Sequence, residues 1–85
     1  MSQTDIIARM LPVFQEVFDD DTLTITAGTT SEDVEDWDSL SNVRLIIAIE
    51  RAFGVRIKAS EVAQLDDVGS LADLVAQKLA AGPGA

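Results

Sequence analysis

Ser39, set between Asp38 and the start of a hydrophobic helical stretch, is the side chain whose type and position could carry chemistry in this sequence. Its hydroxyl and the Asp38 carboxylate are both oxygens that can accept from the free N–H groups of a first helical turn, so either could cap a helix beginning here. Few other reactive groups are present. The chain has no histidine, cysteine or tyrosine, which removes the commonest general base, any thiolate and the commonest zinc ligand, and leaves carboxylates and lysines for proton transfer. An enzyme of paired carboxylates, such as a minimal hydrolase, would need a cleft that 85 residues have little room to build. The carboxylates of Asp19, Asp20, Asp21, Glu32, Asp33, Glu35, Asp36 and Asp38 invite a cation site, but a calcium loop requires glycine at its sixth position and glutamate at its twelfth. A frame starting at Asp36 puts Ser41 and Ile47 there, and one starting at Asp19 puts Thr24 and Thr30. The acidic run therefore reads as solvated surface, and no metal site is expected.

The helix that positions Ser39 runs on to Phe53, where Gly54 supplies the left-handed conformation that commonly ends a helix. At about 100° per residue its apolar side chains fall into two groups. Leu45, Ile46, Ile49, Ala52 and Phe53 form the side expected in the core. Leu40, Val43 and Ile47 lie on roughly the opposite side with Arg44, Glu50 and Arg51, whose charged heads need water. Two readings of this second group are open: an exposed partner surface rimmed by charge, or a helix–helix contact around which charged stems snorkel.

The other elements follow from the same patterns. Ser2 and Thr4 are candidate caps for a first helix from about Thr4 to Phe18, with Ile6, Ile7, Met10, Phe14, Val17 and Phe18 at helical spacing. Pro12 is expected to kink or divide it. Asp19 to Asp38 reads as a long loop in which Leu23 and Ile25 are pinned to the core, Ser31 to Val34 makes a helical turn and Trp37 anchors the chain. Val55 and Ile57 are core anchors after Gly54; Ser60 is placed as the cap of a short helix through Leu65, and Ser70 with Asp73 as a capping box for a last helix from Leu71 to Leu79. The fold expected is all-α, a small bundle of three main helices plus a short third helix, with the long loop between helices one and two. It forms one domain over residues 1–81, followed by a flexible tail at 82–85.

Composition bounds the partners. With 47% hydrophobic and 25% charged residues the chain is globular rather than disordered. A net charge of −9 repels nucleic acid and anionic membrane surfaces and favours basic protein partners. The longest apolar run, Leu45 to Ile49, is too short to span a bilayer. Asp5, Arg9, Glu16 and Asp19 interrupt the first twenty residues, unlike a signal peptide. A cytoplasmic, free-standing monomer is expected, Met1 favouring a chain that stands alone.

Asp38-Ser39-Leu40, the hydrophobic helix behind it, then Glu50-Arg51-Ala52-Phe53-Gly54-Val55-Arg56-Ile57 and a later amphipathic helix, in that order from Thr4 to Ala80, resemble the acyl carrier proteins. The resemblance implies a four-helix fold and no catalysis. It also implies that Ser39 receives a 4′-phosphopantetheine arm from coenzyme A, whose thiol carries acyl groups as thioesters. A phosphodiester there would sit at a helix N-terminus, which favours an anion. Asp38 and Leu40 flank the attachment, and Asp38 could orient the hydroxyl or hold a divalent cation during it. The partners implied are a phosphopantetheinyl transferase and acyl-loading, condensing or acyl-transfer enzymes. They would dock on Leu40, Val43 and Ile47, with Asp36, Asp38 and Glu50 reaching basic residues and Arg44 and Arg51 alongside. An acyl chain could fold back between helices two and three against Val43, Ile47 and Val62. The sequence departs from the familiar fatty-acid carriers in having Ser41, Asn42, Arg44 and Arg51 where acids or neutral residues are the pattern. That points to a specialised polyketide, peptide or acyl-transfer pathway. The alternative is a non-catalytic helical adaptor that binds a protein through the Leu40/Val43/Ile47 patch, with Ser39 only a cap.

Overall fold

The computed structural model describes residues 2–81, which form four helices: α1 (Gln3–Val17), α2 (Ser39–Phe53), α3 (Ala59–Val62) and α4 (Val68–Ala81). No strand occurs among the described residues, and the expected tail at 82–85 lies outside them. Helix α1 packs against α2 and α4. Ile6, Met10 and Phe14, at i, i+4 and i+8, give α1 one fully buried stripe; it meets Leu45, Ile46 and Ile49 of α2 and Val68, Leu71, Ala72 and Val75 of α4. Val55 and Ile57 close the core from the chain after α2. Gly54, at φ 67°, ends α2 in the left-handed conformation and donates its N–H to the Glu50 carbonyl.

Several boundaries differ from expectation for identifiable reasons. The Ser2 hydroxyl caps α1 by accepting from the Asp5 N–H, and α1 runs through Pro12 undivided. Pro12 and Ala8, whose carbonyl loses its donor there, both face solvent, where water can replace the missing N–H. Ala52, expected in the core, is exposed, while Phe53 is half-buried and packs against the core cluster. Helix α3 starts at Ala59, before Ser60, and the Glu61 carboxylate reaches back 2.9 Å to the Lys58 N–H. Helix α4 starts three residues earlier than Leu71. Its first turn is held by Asp67, whose carboxylate accepts from the Ser70 N–H at 2.8 Å and the Ser70 hydroxyl at 2.9 Å. Ser70 is thus the partner of a cap, and Asp73 instead accepts from Gln3 Nε2 at 3.1 Å.

The long loop is tied down along residues 23–29. Leu23 and Ile25 pack on the core, and the N–H groups of Val68 and Gly69 donate to the carbonyls of Thr29 and Ala27, each at 2.8 Å. Gly69 permits that approach: a Cβ there would lie 2.9 Å from the Ala27 carbonyl oxygen.

Candidate functional site

The start of α2 is built by the last residues of the loop. Asp38 has extended backbone and its carboxylate accepts from the Ser41 N–H at 2.9 Å, so Asp38, not Ser39, is the cap. The same bond holds the Asp38 carboxyl below its ordinary range. Ser39 is left as the first helical residue, exposed, its hydroxyl released from capping. The N–H groups of Ser39 and Leu40 have no backbone acceptor, as expected for the first donors of a helix. An anion on Ser39 would meet them and the positive end of the helix dipole.

Trp37 fixes where this turn sits. Its ring stands edge-on to Phe14 with centroids 5.4 Å apart, and its Nε1 donates to Asn42 Oδ1 at 2.9 Å. The indole therefore anchors the loop to α1 and to the first turn of α2 together. It also helps to line a cleft of about 390 Å³ with Ser39 on its edge. The apolar lining is Trp37, Ile46, Val62, Leu65 and Leu71, while Ser31, Asp38, Asn42, Asp66 and Asp67 supply the polar part.

The cleft takes one of the three residues expected of it. Val62 lines it, whereas Val43 and Ile47 do not. The reason is helical register. Ser39, Asn42 and Ile46 at i, i+3 and i+7 share the side facing the cleft; Val43 and Ile47 are one residue on, about 100° round the helix. Counting that register from Ser39 would have found Asn42 and Ile46, but Leu65 and Leu71 reach the cleft only through the packing of α3 and α4.

Leu40, Val43 and Ile47 are instead 68%, 57% and 43% exposed, so they form an outward patch and not a helix–helix contact. Asp36, Arg44 and Arg51 are exposed around it. Glu50 is the exception among the rim residues. Its carboxylate turns to accept from the Ile57 N–H at 2.8 Å, half-buried, where it braces the chain after α2. Among the described residues no three acidic, histidine or cysteine side chains gather as a metal site, and no helix is long and apolar enough to cross a membrane.

With this geometry in place, residues 4–75 match the family described as "Phosphopantetheine attachment site". The chain is similar to an acyl carrier protein of Acidothermus cellulolyticus, 34% identical over 76 residues that cover 89% of this chain and 90% of the relative. It is also similar to acyl carrier protein 2 of Ralstonia nicotianae, 33% identical over 81 residues covering 95% and 100%. In three dimensions it resembles the solution structure of the holo acyl carrier protein of Geobacter metallireducens, with a TM-score of 0.84, 40% identity, and coverage of 88% of this chain and 86% of that one.

Proposed function

This chain belongs to the acyl carrier proteins, the family built around a phosphopantetheine attachment site, and we propose that Ser39 is the residue that bears the arm. As a carrier it holds acyl intermediates as thioesters and presents them to biosynthetic enzymes. The arm supplies the terminal thiol. The chain's own residues hold the attachment point on a rigid helix, keep it exposed and neutralise the phosphodiester with first-turn amides. The observation that carries the reading is that Asp38 performs the capping, which leaves an exposed serine hydroxyl at the head of α2 with no structural duty.

The cleft beside Ser39 fits the same role. Ile46, Val62, Leu65 and Leu71 give it an apolar wall where an acyl chain could lie. Residues 1–81 act as one carrier domain, a cytoplasmic monomer charged by a phosphopantetheinyl transferase. It would serve acyl-loading, condensing or acyl-transfer enzymes of a specialised polyketide, peptide or acyl-transfer pathway. Arg44 and Arg51 on the exposed face of α2 support the specialised set of partners, because electrostatic complementarity governs encounter and partner choice.

The test is intact mass after incubation with coenzyme A, Mg²⁺ and a broad-specificity phosphopantetheinyl transferase. The wild type gains one phosphopantetheine and Ser39→Ala gains none. A gain that persists in Ser39→Ala would move the attachment elsewhere. No gain in either would favour an adaptor that uses the Leu40, Val43 and Ile47 patch alone.

A further inference from the structure

Three of the six basic side chains of this −9 chain lie along α2 or just beyond it: Arg44 in its first half, Arg51 near its far end and Arg56 after it. Arg44 and Arg51 are two turns apart and so nearly eclipsed, with Leu40 and Ile47 on the same stripe. All three arginines are exposed, and no carboxylate among the described residues pairs with them; the ion pair present is Lys78 to Glu61, at 3.0 Å. The one acid within this stretch, Glu50, is occupied by the Ile57 N–H. A shallow groove of about 370 Å³ is lined by Ile47, Glu50, Arg51, Val55 and Arg56.

We propose that the outer stripe of α2 from Arg44 to Arg51, with Arg56 beyond it, is a docking face for an acidic partner segment: the groove takes an apolar side chain while Arg44, Arg51 and Arg56 bind flanking carboxylates. The inference rests on the carrier reading in making α2 the docking helix, and it adds the polarity of docking. The loop end presents Asp36 and Asp38, and the far end, about 18 Å along the axis from Ser39 to Arg51 at 1.5 Å per residue, presents guanidiniums with planar forks suited to carboxylates. The net charge of −9 repels an acidic surface from the chain as a whole, so such a partner is steered to this arginine-bearing face. A second copy of the chain is a poor occupant, because two −9 molecules repel.

The probe is a synthetic amphipathic helical peptide with leucines on one face and flanking glutamates, titrated into the isotope-labelled apo chain and compared with the same peptide carrying lysines. The glutamate peptide is expected to shift the amides of Arg44, Ile47, Arg51 and Arg56, with binding that weakens as salt is raised. The variant R44Q/R51Q/R56Q should weaken that binding by about tenfold or more with an unchanged amide spectrum elsewhere. Failure of the glutamate peptide to shift these residues, or equal shifts by the lysine peptide, would overturn the proposal. Concentration-dependent shifts of the same amides without peptide would replace the acidic partner by a second copy. The mass test at Ser39 is indifferent to all of these outcomes, so the carrier reading and the docking polarity fail separately.

Discussion

Helices α2 and α4 open on the same pattern, Asp38-Ser39-Leu40-Ser41 in one and Asp67-Val68-Gly69-Ser70 in the other, and in both the aspartate accepts from the serine N–H three residues on. The bond lengths, 2.9 and 2.8 Å, are alike, and both carboxyls are held below their ordinary range by that bond. The next donors differ completely. The N–H groups of Val68 and Gly69 are taken by the Thr29 and Ala27 carbonyls under a buried contact, whereas those of Ser39 and Leu40 have no backbone acceptor. One helix end is closed by the long loop and the other is left open at the surface. Equal local chemistry thus serves structure at α4 and leaves α2 free for a ligand.

Hydrogen exchange should show the largest contrast. The amides of Val68 and Gly69 are expected to be protected to nearly the global stability, and those of Ser39 and Leu40 to exchange almost freely. Comparable protection at the two ends would erase the distinction. Substitution at the second position after each capping aspartate, Asp38 or Asp67, gives the next effect. Gly69→Val places a Cβ 2.9 Å from a backbone oxygen and should cost about 1–3 kcal/mol in urea denaturation. Leu40→Ala, at a side chain 68% exposed, should stay within about 0.5 kcal/mol.

The caps come last. Asp67→Asn should lower the melting temperature more than Asp38→Asn, because the Asp67 carboxylate also holds the Ser70 hydroxyl. The sign of their pH dependence follows from their lowered folded values. Their contribution is complete above the unfolded carboxyl value near pH 4 and is lost as pH falls through the folded value. Urea midpoints of wild type and Asp67→Asn should therefore differ steadily from pH 7 to about pH 5 and converge in stronger acid. A difference that closes by pH 5 would mean that the Asp67 carboxyl is not held low.

The number and order of helices were legible because apolar periodicity is written residue by residue, as in Ile6, Met10 and Phe14. The exposed patch was open to two readings, since a helix wheel shows that Leu40, Val43 and Ile47 share a side but not what lies opposite them. The cleft beside Ser39 takes Asn42 and Ile46, one residue of register from Val43 and Ile47; the helix wheel gives spacing but not which side the neighbouring helices close. Ser70 and Asp73 make a plausible local box, but the Asp67 carboxylate on Ser70 and the buried seat of Val68 and Gly69 against the loop start the helix earlier.

By itself the sequence determined four helices, a serine and an aspartate at the head of the second, an acidic chain and no nucleophile-and-base pair, because each of these is a matter of residue type or of neighbours within a turn or two. The folded structure decided which Asp-x-x-Ser end is open, that Asp38 caps and Ser39 is free, that Glu50 braces Ile57, and that the arginines of α2 have no ion-pair partner among the described residues. The first of these depends on where loop carbonyls some 40 residues away in the chain come to rest. A helix cannot encode in its own residues whether its first amides will find such carbonyls or meet solvent.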